Sequence, residues 1–180
     1  MELAASLERR FTTELRTAGR RLEGYAATFA HTADLGAFRE RISLGAFRDA
    51  LRSDILALLD HDAGKVLGRT RTGTLELRED DKGLAFSLQL PDTAAGRDVM
   101  ALAERGDLGG MSFGFTVPEG GEQWDGDTRT LRTIGLKEIS VVSAWPAYEG
   151  TEVVLRARIG GAEHARRARA IRLAEARQWA

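Results

Sequence analysis

Between residues 22 and 155 the chain is cut into short apolar-alternating runs by Gly and Asp turn signals, and this punctuation limits the fold more than any other feature. Runs so short favour strands joined by tight connections over long helices. The segments "LEGYAATFA" (22–30), "FRERIS" (38–43), "KVLGRT" (65–70), "TLELRED" (74–80) and "GLAFSLQL" (83–90) read as strands. In the last, Leu84, Phe86, Leu88 and Leu90 fall on one face. The run "DILALLDHD" (54–62) suits a buried strand or a turn of helix, and its period does not separate them. A short helix is expected in "GAFRDALRS" (45–53). Another is expected in "PDTAAGRDVMALAERGD" (91–107), stopped before by Pro91, capped by Asp92 or Thr93 and ended at Gly106. Then come a strand in "MSFGFTVPE" (111–119), a hairpin turning at Asp125-Gly126-Asp127, and a long strand in "GLKEISVVSAWPAY" (135–148). The expected fold is mainly β (α+β): an antiparallel β-barrel with helices packed around it.

A chain of 180 residues with 43% hydrophobic residues can bury one real core. With no cysteine, it can hold neither a disulfide framework nor a thiolate nucleophile or metal ligand. No apolar run reaches membrane-spanning length, and the opening "MELAASLERRFTTELRTAGRR" lacks the apolar stretch of a secretory signal. That opening reads as a helical or frayed lead-in. Residues 23–155 carry 14 basic and 22 acidic side chains, whereas residues 156–180 carry 7 basic and 2 acidic. An acidic body argues against a nucleic-acid-binding domain. The basic tail after Gly160-Gly161 is rich in Ala, Arg and Glu and is expected to be helical.

Three histidines are present. His31 falls in a turn-like stretch and His164 in the tail, while His61 ends an apolar run between two carboxylates in "LLDHD". A carboxylate neighbour can fix an imidazole's tautomer, which suits acid/base work. In "GGMSFGF" (109–115), Met111, Phe113, Phe115 and Val117 claim one face of a strand, so Ser112 points away from the core. Glycines at 109, 110 and 114 leave its hydroxyl open to an approaching backbone, or simply mark an ordinary surface serine between bulges. In "LKEISVV", Glu138 shares a face with Leu136 and Val142, and a carboxylate on a partly apolar face needs a partner, either an arginine or the N–H of a histidine. Serine, histidine and a carboxylate are the parts of acyl-transfer chemistry, in which the histidine takes the hydroxyl proton and the carboxylate steadies the ring. Other motifs lead nowhere. The Arg105-Gly106-Asp107 tripeptide looks like a helix end, and "QWDGDTR" (123–129) offers too few oxygen ligands for a calcium loop. No Lys-Ser/Thr follows the paired glycines, so they are not a phosphate loop.

Taken in order, "GYAATFA", "FRERISLGAFRDAL", "ALLDHD", "VLGRTRTGTLELREDDKGL", "LPDTAAGRD", "ERGDLGGMSFGF" and "LKEISVVSAWPAY" resemble the caudovirus prohead (capsid maturation) serine proteases. The resemblance covers about Leu22 to Arg156, dividing the chain into an extension (1–21), a protease domain (22–156) and a basic tail (157–180). It implies the fold of the herpesvirus maturational proteases, a β-barrel ringed by helices. It also implies serine endopeptidase activity without a cofactor or metal, with Ser112 as nucleophile and His61 as general base. In the herpesvirus relatives the third member is a second histidine downstream of the serine. Here none follows until His164, so Glu138 takes that place, with Asp60 and Asp62 as rivals. Backbone N–H groups of the loop 143–147 are candidates for stabilising the oxyanion. The implied substrates are the scaffolding protein or a scaffold segment of the major capsid protein, and the protease itself. The implied setting is the assembling procapsid in the host bacterial cytoplasm, with self-association as a dimer. The competing expectation is an inactive assembly protein that keeps the barrel.

Overall fold

The computed structural model describes residues 7–12, 15–29 and 32–144. Along the chain run β1 (Glu8–Thr12), β2 (Leu15–Ala18), β3 (Arg21–Thr28), β4 (Ala33–Asp34), β5 (Arg39–Ile42), β6 (Leu56–Leu59) and β7 (Asp62–Arg69). They are followed by β8 (Leu75–Glu79), β9 (Gly83–Gln89), α1 (Ala94–Arg105), β10 (Gly110–Thr116), β11 (Glu122–Asp125), β12 (Thr128–Leu131) and β13 (Gly135–Val142). Single 3₁₀ turns occupy Ala50–Arg52 and Thr70–Thr72, so the expected helix in 45–53 is reduced to turns. The ambiguous run 54–62 resolves as strand because it pairs on both sides, with β13 and with β7. The tail expected to be helical, together with Trp145-Pro146, lies outside the described residues.

The strands form three sheets, in the orders β1-β10-β13-β6-β7, β11-β12-β5-β4 and β2-β3-β9-β8. The expected closed barrel ringed by helices does not appear among the described residues, which hold one α-helix and three open sheets. Closing a barrel needs a continuous hydrogen-bond ladder. Here the first and third sheets instead meet through side chains, with β3 against β1 and β10 and β9 against β7. Between them lies the core, in which Leu22, Phe47, Leu84, Leu88, Met111, Phe113, Phe115, Ile139 and Val141 are buried. Each such large apolar side chain contributes roughly 1.5–3 kcal/mol by leaving water. The α1 caps match the sequence: the Thr93 hydroxyl accepts from the Gly96 N–H, and Gly106 turns left-handed at the other end.

Two features of this arrangement were not legible in the sequence. The lead-in is not helical or frayed where it is described: β1 pairs antiparallel with β10, and β2 with β3. The sheets are also not purely antiparallel, since β6 runs parallel to β13 and β5 parallel to β12. The parallel register carries β6 from Leu56, opposite Glu138, to Leu59, opposite Val141. The next two residues, Asp60 and His61, therefore emerge beside the end of β13.

Candidate active site

Alternation along β10 sends Met111, Phe113 and Phe115 into the core and Ser112 and Gly114 to the opposite face, as the sequence implies. That face is not open. Ser112 is 0% exposed. In register, Phe11, Ser112, Ser140, Leu58 and Val66 form one row across all five strands of the sheet. The adjacent rung holds Arg9, Gly114, Glu138 and Leu56. The glycines therefore do not clear an approach to the hydroxyl.

At Gly114 the absent side chain makes room for a carboxylate. A Cβ there would lie 2.3 Å from Glu138 Oε1, a separation that real structures do not show. Replacing Gly114 by Ala is thus expected to push Glu138 from its place and reduce any activity at this site at least about 10²-fold, on the scale set by displaced catalytic groups. A circular dichroism spectrum unlike that of the wild type would show that more than the carboxylate had moved; wild-type turnover would refute the role given to the gap.

Glu138 reaches this position through a bulge. Gly114 pairs with Glu138 but the next residue, Phe115, pairs with Leu136, leaving Lys137 as the extra residue of β13. Leu136 consequently joins the core and does not share a face with Glu138, contrary to simple alternation. Glu138 instead faces with Ser140, whose Oγ donates to its Oε2 at 2.6 Å. Its Oε1 lies 2.7 Å from His61 Nδ1.

His61 is placed by a hairpin of two residues. Asp60 and His61, between paired Leu59 and Asp62, have φ of 51° and 60°. They are the only positive-φ residues other than glycine among those described. Successive left-handed residues make the turn that matches strand twist, usually supplied by Asn-Gly or Asp-Gly. Without glycine the conformation costs about 1–3 kcal/mol per residue, a cost typical of functional sites. Asp60 anchors the turn: its Oδ1 accepts from the Ser143 N–H at 2.8 Å and its Oδ2 from the Ser143 hydroxyl at 2.6 Å. The turn carries the ring back over the sheet, edge-on to Phe11 with centroids 6.3 Å apart.

A carboxylate accepts at both oxygens, and the contact of Glu138 with His61 assigns the imidazole proton to Nδ1 and the lone pair to Nε2. Nε2 is buried without a partner, as are Ser112 Oγ and Arg9 Nε, and these are all the unpartnered buried side-chain N and O atoms among the described residues. Each such atom ordinarily costs about 1–3 kcal/mol, so their gathering on one face of one sheet calls for a chemical reason. The arrangement supplies a histidine held by a carboxylate, with its free nitrogen on the face that carries Ser112.

The rival carboxylates are occupied elsewhere. Asp60 holds Ser143, and Asp62 accepts from the Gly64 N–H and pairs with Lys65 at 3.4 Å. The Gly64 N–H, then Lys65, hold the Asp62 carboxyl below its ordinary range. Of the loop considered for the oxyanion, the Ser143 N–H is already spent on Asp60, and residues from Trp145 onward lie outside the described region, as do His31 and His164. The Arg105-Gly106-Asp107 stretch is a helix end with its own ion pair at 2.8 Å, and "QWDGDTR" is the β11–β12 turn, where Asp127 pairs with Arg39 at 3.0 Å. Among the described residues no helix is long and apolar enough to cross a membrane.

No curated protein and no solved structure matches this chain. The model of the caudovirus prohead serine proteases matches residues 6–165, and the chain belongs to that family.

Proposed function

We propose that this chain is a serine endopeptidase of phage prohead maturation, with Ser112 as nucleophile, His61 as general base and Glu138 as the group that orients the histidine. The observation that carries this reading is the 2.7 Å contact between Glu138 and His61 Nδ1, which leaves Nε2 free on the face of Ser112. Ser112 Oγ attacks the peptide carbonyl as Nε2 takes its proton. His61 then gives that proton to the leaving amine, and water, activated the same way, releases the acyl group. Glu138 steadies the imidazolium at both proton transfers. Substrate entry requires a rearrangement that uncovers Ser112, which is fully buried in the resting arrangement.

The substrates are the scaffolding protein or a scaffold segment of the major capsid protein, and the chain itself, inside the assembling procapsid in the host cytoplasm. Self-association as a dimer belongs to the same reading. The full burial of Ser112 favours a second one, an inactive assembly protein that keeps the fold.

One experiment separates them. The purified chain is incubated with the major capsid protein of the same phage as substrate, with and without prior treatment by an organophosphonate. The expected result is a shortened capsid protein, lost after treatment, with the adduct mapped to Ser112. Processing that continues undiminished after labelling of Ser112 overturns the serine assignment, and no processing under any condition supports the inactive protein.

A further inference from the structure

We propose that Ser140 is a positioning residue of this site, one whose hydroxyl holds the Glu138 carboxylate in the orientation that His61 needs; the proposal rests on the catalytic reading above. Ser140 is 0% exposed and stands directly across from Ser112 in the β10–β13 register. Its Oγ donates to Glu138 Oε2 at 2.6 Å, in the short range of charge-assisted hydrogen bonds. The other carboxylate oxygen meets His61 Nδ1. One donor on each oxygen leaves the carboxylate little freedom to rotate, and Gly114 provides the space into which it fits.

The surroundings offer little to replace that hydroxyl. On β6 the residues facing Glu138 and Ser140 are Leu56 and Leu58. On β10 they are Gly114 and Ser112. The charged groups nearest along the chain are turned or tied elsewhere: Lys137 is the exposed bulge residue, and Asp60 is bound to Ser143. Arg69, at the far end of the Glu138 rung, is paired with Asp54. Arg9 on β1 shares the face two strands away, with its Nε unpartnered. Removing the Ser140 hydroxyl therefore strands a buried carboxylate oxygen, and the carboxylate either turns toward Arg9, releasing His61, or stays and is less stable as an anion.

If the carboxylate stays, the state with neutral imidazole beside it is weakened more than the state that has taken up a proton, because the imidazolium then compensates the carboxylate; if it turns away, the imidazolium loses its counter-charge and proton uptake is weakened instead. The acid limb of the rate profile, which marks uptake of that proton, therefore moves in either case, upward if the carboxylate stays and downward if it turns away.

The test uses Ser140→Ala and Ser140→Thr in the full chain, with the capsid protein as substrate. For Ser140→Ala we expect kcat to fall about 10- to 100-fold with KM little changed, the range of one lost hydrogen bond to a charged group. The acid limb is expected to shift by about one pH unit. In the resting protein, the downfield proton resonance of His61 Nδ1–H should move upfield or vanish. Ser140→Thr, which retains a hydroxyl, should keep the acid limb and the resonance near their wild-type positions. A Ser140→Ala protein with both readouts unmoved overturns the proposal, as does a Thr variant that moves them as far as Ala does. The resonance needs no turnover, so it decides the role of Ser140 toward Glu138 and His61 even if the chain proves inactive.

Discussion

Ser112→Ala is expected to lower peptide-bond cleavage roughly 10⁴-fold or more, and His61→Ala to do nearly the same. In the proposed mechanism the two groups act in one step. The hydroxyl is a poor nucleophile until Nε2 removes its proton, and Nε2 has nothing to activate without the hydroxyl. The double variant should accordingly be no slower than the slower single one, since residues acting as a unit are not additive. The measurement is kcat on the capsid protein for all three variants, at matched protein concentration and after a check of folding by circular dichroism. Losses that multiply in the double variant would mean that Ser112 and His61 act independently, and the triad would have to be abandoned. The two variants should differ in stability, because Ser112 Oγ is buried without a partner while the His61 ring also holds Glu138. Ser112→Ala is expected to be at least as stable as the wild type, whereas His61→Ala leaves Glu138 Oε1 without its partner and is expected to be less stable by about 1–3 kcal/mol.

Arg129→Ala is expected to cost about 3–5 kcal/mol of stability, the range seen when one member of a buried charge network is removed. Arg129 is 7% exposed. Its guanidinium donates to Glu8 at 2.6 and 2.8 Å, to Glu122 at 2.6 Å and to Glu40 at 3.0 Å. Arg10 adds bonds to the two oxygens of Glu40 at 2.5 and 2.8 Å and to Glu8 at 2.9 Å. This network ties β1 to β5, β11 and β12, and so ties the sheet of the site to its neighbour. Without Arg129, Glu8 and Glu40 share one cation, Arg10, and Glu122 loses its guanidinium partner. Burial by itself would raise the Glu8 carboxyl, but the hydrogen bond and charge of Arg129, aided by Arg10, outweigh it and hold Glu8 below its ordinary 4.5. A depressed carboxyl contributes stability that is complete above the unfolded value and is lost as pH falls through the lower folded one. The wild type should therefore lose stability progressively below about pH 4.5, and Arg129→Ala should lack the Glu8 part of that slope. Urea denaturation at pH 7 and pH 4 reads both. A loss under 1 kcal/mol at pH 7 would show that the network is dispensable.

The β1 strand explains why part of the site escaped sequence reasoning. Its pattern "ERRFT" is charged at three of five positions and does not look like a strand that a sheet would bury. It is held because one face, Glu8 and Arg10, completes the ionic network, while the other, Arg9 and Phe11, lies over the site. A pairing of that kind joins residues more than a hundred positions apart and leaves no local period. Glu138 shows the same limit at smaller scale. Alternation put Leu136 on the face of Glu138, whereas Leu136 joins the core, because a bulge cannot be read from one strand alone. Ser140 is the converse case, since alternation alone puts it on the face of Glu138 two residues earlier, within reach of the carboxylate.

The positions of Ser112 and His61 were legible because local rules suffice for them. Aromatics at every second residue decide which way a strand faces, and apolar runs bounded by Asp and Gly mark where strands end. The sequence alone thus determined a mainly β chain, a serine turned off the core and a histidine at a strand end between carboxylates. Only the tertiary structure decided that β6 runs parallel to β13, which brings the strained Asp60-His61 turn beside Glu138. It also decided that Gly114 is empty for the sake of that carboxylate, and that Ser112 is covered. The physical reason is range: side-chain alternation acts between neighbours, whereas register, bulges and buried charge networks are settled between strands that meet only when the whole sheet forms.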